Sequence, residues 1–435
     1  MRTLVRLMGV AAAAATVTAM AVVPAAAPAL ADPPSGTTVH NYDLTGIGAD
    51  TTQSVFDQFS KDYNAAQSTG HKADSATNPY LYSWDATNPS TGAIGDSIVL
   101  KKGCAAVARP DGSSAGIVFM TTENKPDGTV GTGTSARTAN CVDFTRSARD
   151  RSTSDPGYQS DGVAFVALAG DAISYATQPG SNAPKNLSTH QLFEIYTCAA
   201  TTWKQVGGKS TQTIKAFIPE TGSGIRTSFL TAIGFTSTET PGPCVSDEAT
   251  KADPAGRLQQ NEGVNAQLNQ DKANVIVPFS VGKYIAQAYH SAKCLKAFCK
   301  AVTAGPDKGK FCLPKKTQDT FGCDEHGTLL LNSINHTSPT KPWPLPKAGP
   351  CTTKCPVVNP NFTPLMALTQ YVVVPYSTAK GNVNHIPPYL VPFFGPKGWI
   401  CSSSVAKTDL LNYGFRVFGH GAPAGHALNL CGDTH

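Results

Sequence analysis

Three short segments gather glycine, hydroxyl side chains and charge in the combination that holds a small anion. In Thr221-Gly222-Ser223-Gly224-Ile225-Arg226 the glycines permit close backbone approach, Ser223 brings a hydroxyl, and Arg226 can fork onto two oxygens. Gly48-Ala49-Asp50-Thr51-Thr52 adds hydroxyls, and Asp50 with Gln53 three residues on reads as a capping box. The third segment is Arg109-Pro110-Asp111-Gly112-Ser113-Ser114-Ala115-Gly116, followed after a long loop by Asp143-Phe144-Thr145-Arg146-Ser147-Ala148-Arg149. The chemistry on offer is that of helix starts, where unpaired N–H groups and a positive dipole end face an anion. Each segment also has a plainer reading, as a strand-to-helix turn, a helix cap, or a solvated turn beside a basic surface patch.

Gly112-Ser113-Ser114-Ala115-Gly116 also satisfies G-x-S-x-G, which makes a serine hydrolase using Ser114 an alternative. That nucleophile must follow a strand and open a helix, whereas the IVFMTT that comes next reads as β, and His326, His385, His420 and His426 have no distinguishing context. His420 and His426 in GHGAPAGH lack a third ligand, and paired carboxylates for glycoside chemistry are not evident, so no metal or cofactor is expected.

The elements that must position these residues follow from periodicity. TGIGADTTQSVFDQFSKDY runs from a strand through a glycine turn into a helix with Val55, Phe56, Phe59 and Tyr63 on one stripe. Between 80 and 150, SIVLK, CAAVA and GIVFM read as short β runs separated by turns. DGVAFVALAGDAISYAT (161 to 177) is a nearly continuous apolar run, the mark of a buried strand. LSTHQLFEIYTCAATTW starts a helix at the Ser188 cap with Leu192, Ile195 and Tyr196 on one face, and IKAFIPETGSGIRTSFLTAIG repeats strand, glycine loop and helix. MALTQYVVVPYS (366 to 377) is a second buried strand, and a helix follows in SSSVAKTDLLNYGFRVFG.

Arg2 and Arg6 precede an Ala/Val-rich run that ends in Ala29-Leu30-Ala31, a signal-peptide pattern that sets residues 1–31 apart and predicts export. No cysteine near that site offers a lipid tether, so the released protein is expected outside the cell or in the periplasm without membrane insertion. Removing Arg2 and Arg6 with that segment lowers the formal net charge from +5 to about +3, too weak and too evenly spread for nucleic acid. Twelve cysteines in an oxidising compartment read as disulfides. Sequence leaves their pairing open; pairing of neighbours would join Cys104 to Cys141, Cys198 to Cys244, Cys312 to Cys323 and Cys401 to Cys431. The length, roughly 400 residues after export, suggests two lobes or domains.

Taken in order, the segments resemble the substrate-binding proteins of phosphate ABC transporters, within the type 2 periplasmic-binding-protein superfamily. LSTHQLFEIYTCAATTWKQVGG followed by IKAFIPETGSGIRTSFL is similar to that family's L-x-x-x-Q-L-x-x-I-Y, T-x-W and G-S-G-T-R-x-x-F elements, and the likeness runs through most of 44–235. The resemblance implies a two-lobed α/β fold joined by two crossing strands, with lobe 1 from 32–167 with 361–435 and lobe 2 from 168–360; within lobe 2 the stretch at about 284–358, rich in Cys, Pro, Lys and Gly, reads by its composition as a disulfide-tied insertion without regular structure. It implies that Ser223, Gly224 and Arg226 contact the anion, that Asp50 and Thr51 hold the first-loop position, and that Ser113 or Ser114 supplies the second-loop hydroxyl. Ser147 lies where the family carries a serine followed by an aspartate. A monomeric, non-enzymatic binder of phosphate or a similar oxyanion, with an ABC permease as partner, is the function implied.

Two departures stand out. Ile225 replaces the threonine after G-S-G, and Ala148 stands where the family has an aspartate that accepts the proton of dibasic phosphate. Asp50 or Asp111 is then left as the carboxylate available for that proton. The same losses admit a further alternative, an extracellular interaction protein that keeps the fold without a ligand.

Overall fold

The computed structural model describes residues 32–34, 36–69, 74–89, 94–123, 126–130, 137–153, 155, 162–248, 257–290, 300–301, 312–313, 326–343, 355–418 and 430–434. The expected signal peptide, His420 and His426 fall outside them.

In the first half of the chain lie β1 (Leu44–Gly48), α1 (Gln53–Thr69), β2 (Leu81–Ser83), α2 (Gly112–Val118), β3 (Phe144–Ser147) and β4 (Val163–Thr177). The middle supplies α3 (Thr189–Tyr196), β5 (Lys215–Phe217), α4 (Gly224–Ile233), β6 (Val245–Ser246), β7 (Val275–Ser280) and α5 (Val281–His290). β8 (Leu330–Leu331), β9 (Ala367–Pro375) and α6 (Ser404–Asn412) follow. Nine strands form one sheet in the order β6-β5-β7-β4-β9-β3-β1-β2, with β8 on β4.

β4 is the spine of the molecule. All fifteen of its residues are buried, as its unbroken run of apolar and small side chains requires. From Val163 to Ala172 it pairs antiparallel with β9, and from Ile173 to Ala176 with β7. One strand thus serves both halves of the sheet. On one side α1 buries Val55, Phe56 and Phe59, with Phe56 against Phe144 and Phe144 against Phe394. On the other, α3 and α4 pack Tyr196 edge-on to Phe229 within a core that also holds Trp203, Ile225 and Val277. At about 25 cal/mol per Å² of apolar surface buried, these rings and the aliphatic side chains around them stabilise each side of the sheet.

Most elements lie where periodicity put them, and the Ser188 capping box on α3 is formed with Gln191. GIVFM is an exception: it is not β but the end of α2, continued by a π-helical turn at Phe119–Glu123. A second exception is the expected insertion, which opens with α5 and contains Thr340–Trp343 paired with Cys355–Val358. Disulfides join Cys104 to Cys141, Cys198 to Cys244 and Cys401 to Cys431; of the fourth neighbour pair, Cys323 lies outside the described residues. Among the described residues no helix is long and apolar enough to cross a membrane.

Candidate functional site

β1 and β3 are parallel neighbours, as are β5 and β7, and all four end on the same crevice, the place where open α/β sheets bind ligands. The loops beyond them bring residues of both lobes into contact. Ser114 N donates to Gly222 O (3.2 Å), and Ser228 Oγ donates to Ala148 O (3.1 Å). Gly224 is obligatory here, because a Cβ would stand 2.9 Å from the Ala148 carbonyl carbon and collide with Ser113 Oγ.

Ser223 caps α4 by accepting from Arg226 N (3.1 Å), and its own hydroxyl donates to Gln260 Oε1 at 2.5 Å. Ile225 N donates to the same oxygen at 3.2 Å. The other end of that carboxamide, Gln260 Nε2, donates to Asp50 Oδ1 and to Thr51 Oγ1 (3.3 Å). Asn261 Nδ2 adds bonds to Asp50 Oδ2 (3.3 Å) and Thr51 Oγ1 (3.2 Å). The buried Lys283 donates from Nζ to the Asp50 carbonyl (3.0 Å) and stands 4.0 Å from its carboxylate. The Asp50 carboxylate is turned across the crevice, and Gln53, the expected reciprocal partner, accepts from Ala86 N.

Ser113 Oγ accepts from Ala148 N (3.0 Å), and Ser114 Oγ accepts from Arg149 Nη2 (3.1 Å). Ser147 is turned into its own bend, donating to Arg149 O (2.8 Å). Arg226 faces away from the Ser223 hydroxyl: Nη1 donates to Pro219 O (2.8 Å) and pairs with Asp247 at 3.1 Å. Asp50, Thr51, Ser223 and Gly224, with Ser113 and Ser114, thus converge, while Ser147 and Arg226 have partners of their own. Neither Ser113 nor Ser114 is hydrogen-bonded to a histidine, so the second and third members of a hydrolase triad are missing among the described residues.

The expected basic surface patch is instead interior. Arg146 is fully buried and donates to Ala49 O, Gly48 O, Trp84 O and Ser83 Oγ; burial lowers its pKa, opposed by Asp85, Asp57 and Asp50. Arg149 is buried on Asp155 with one nitrogen at Ser114, which makes it the cation of the second loop. Across the crevice from α2, burial holds the Glu220 carboxyl above its usual range, while hydrogen bonds with Gln259 and Asp111 pull the other way.

Gln260, Asn261 and Lys283 are the participants that sequence reasoning missed, and Arg149, quoted with the third segment, had no role assigned to it. Gln260 and Asn261 sit in LQQNEGVN, a polar run without period or motif, and Lys283 looks like a solvated helix residue until α5 is seen packed under the first loop. As for metals, His40 Nδ1 and the carboxylates of Asp43 and Asp74 lie within 4.8 Å of one another, but at the opposite end of β1 from the crevice. They are bonded to each other, with His40 Nδ1 3.0 Å from Asp74 Oδ2.

Comparison with known proteins matches residues 101–304 to the model of the PBP superfamily domain. No curated protein matches the chain. Among solved structures, an ABC-type phosphate transport receptor from Vibrio cholerae is 15% identical with a TM-score of 0.45, over 86% of this chain and 99% of that one. A putative phosphate ABC transporter substrate-binding protein from Clostridium perfringens, with bound phosphate, is 13% identical with a TM-score of 0.44 over the same shares, 86% and 99%. A phosphate-binding protein from Stenotrophomonas maltophilia is 13% identical with a TM-score of 0.41, covering 87% of this chain and 91% of its own. Residues 101–304 thus match the PBP superfamily domain, and they lie within a mixed α/β fold built on one nine-stranded sheet.

Proposed function

We propose that the protein is an exported solute-binding protein that takes a small oxyanion, phosphate in particular, in the crevice between its lobes. The observation that carries this reading is the seat at the start of α4, where Ser223 Oγ and Ile225 N already hold one acceptor oxygen, that of Gln260. A ten-residue helix aims its positive end there, and Arg149 and Lys283 supply cationic charge on either side. With no hydroxyl at Ile225, the donors at this seat are the Ser223 hydroxyl and the Ile225 backbone N–H.

Asp50 takes over the part of the carboxylate lost at Ala148. It faces the seat as an acceptor, so a P–O–H group can donate to it, whereas sulfate offers no proton and is repelled. Phosphate and arsenate are therefore favoured over sulfate. Delivery to an ABC permease would complete the role. Calorimetric titration with phosphate, arsenate and sulfate tests the reading: binding of the first two and not the third is expected, and binding of none at millimolar concentration overturns it. The ligand-free interaction protein is the second reading, favoured by the side chain that already fills the seat.

A further inference from the structure

The segment from Leu258 to Glu262 reaches into the crevice and delivers one side chain to the seat. Leu258 is held at both of its backbone groups, N donating to Asp247 O (2.7 Å) and O accepting from Glu220 N (2.8 Å). Asn261 is held by Gln287 Nε2 on its carbonyl (2.7 Å) and by Ser280 N on its Oδ1 (2.9 Å), and it adopts a left-handed φ of 60°, a conformation that asparagine tolerates better than most residues. Between these anchors Gln260 is buried and bridges the lobes, from Ser223 and Ile225 on one side to Asp50 and Thr51 on the other.

The orientation of its amide follows from chemistry. Ile225 N–H is a donor only and the Asp50 carboxylate offers acceptors, so the oxygen must face α4 and the NH₂ must face the first loop. The carboxamide thus presents an acceptor to the donors and a donor to the carboxylate, the pattern that a protonated oxyanion presents with its P=O and P–O–H groups.

We propose that Gln260 is an internal stand-in for the solute: its carboxamide occupies the oxyanion seat, and binding is an exchange in which the solute displaces it. The proposal rests on the oxyanion reading of the crevice and adds a competitor to it. The exchange has two consequences. Apparent affinity is reduced by the fraction of molecules in which Gln260 holds the seat, and the lobes are already bridged before any solute arrives. A ligand must offer both an acceptor and a donor to match what it replaces.

The test is calorimetric titration with inorganic phosphate of the full mature chain and of Gln260→Ala. The expected result is binding at least tenfold tighter in the variant, including the case in which the parent shows none; tenfold corresponds to about 1.4 kcal/mol. Equal or weaker binding in the variant overturns the competitor while the oxyanion reading stands, since the side chain is then a neutral bystander or part of the ligand's own donor set. Absence of binding in both folded proteins overturns the oxyanion reading and the competitor with it. Should Gln260→Ala fail to fold, hydrogen exchange on the parent protein decides. Saturating phosphate is expected to speed amide exchange in 258–262 while slowing it at Ile225, and slower exchange in both overturns the proposal.

Discussion

Two loops in this molecule share one local grammar, a strand, a glycine, a small polar residue and a helix, yet their polar residues have different fates. Ser223 serves its own helix, accepting from Arg226 N, and still reaches Gln260 with its proton. Asp50, in the matching place before α1, turns its carboxylate to Gln260, Asn261 and Lys283. A hydroxyl can accept and donate at once, so capping leaves it a free hand. A buried carboxylate can only accept, and it must go where donors and a cation compensate its desolvation.

The largest test of that difference is Asp50→Ala. It removes the carboxylate facing a fully buried lysine and two side-chain amides, and should lower unfolding free energy by about 3–5 kcal/mol in urea denaturation. A loss under about 1 kcal/mol would mean that Lys283 finds other compensation.

Asp171 on β4 sharpens the contrast as a buried carboxylate with neutral donors only: Ala172 N, Gly282 N, Ser280 Oγ and Gln370 Nε2. Burial pushes its pKa up to about 6, with those four bonds pulling the other way. Because the folded pKa lies above the unfolded one, the native state holds a proton that the unfolded chain releases. This contribution to stability is therefore present below about pH 4 and lost as pH rises to about 6, by an amount on the order of 3 kcal/mol. Denaturant titrations of the parent and Asp171→Asn across this range should differ in slope by that contribution, and parallel profiles would reject it.

Ser223→Ala removes a cap and one contact of the seat. It should cost about 1–2 kcal/mol of stability and weaken phosphate binding roughly tenfold, read from melting and calorimetry. The smallest effect belongs to Arg226→Ala, whose guanidinium sits on Pro219 O and the half-exposed Asp247. A stability loss of about 0–1 kcal/mol and a phosphate affinity changed by less than about threefold are expected. A hundredfold loss would show that Arg226 swings into the crevice on binding.

Much of the fold was legible because the relevant signals are local. The fifteen-residue apolar run of β4, the Ser188 box of α3 and the stripe Ile225, Phe229, Ile233 of α4 each declare an element without reference to the rest of the chain. GIVFM was misread because a short run of β-branched and aromatic residues satisfies strand and helix patterns equally, and only packing of Ile117 against the sheet decides. In the site, glycine spacing exposed the α4 seat and the Ser113-Ser114 loop. It could not expose Gln260, which joins Asp50 across 210 positions of sequence, nor the direction in which Arg226 points, since both are set by the docking of two lobes.

Whether an oxyanion is held by Ser223 and Ile225 at the start of α4 can be read from phosphate titration of ¹⁵N-labelled, deuterated protein followed at the Ile225 amide. This signal is expected to saturate with the calorimetric isotherm and to shift among the most of all amides. An Ile225 signal that stays put while phosphate binds, with the largest shifts elsewhere, would contradict it.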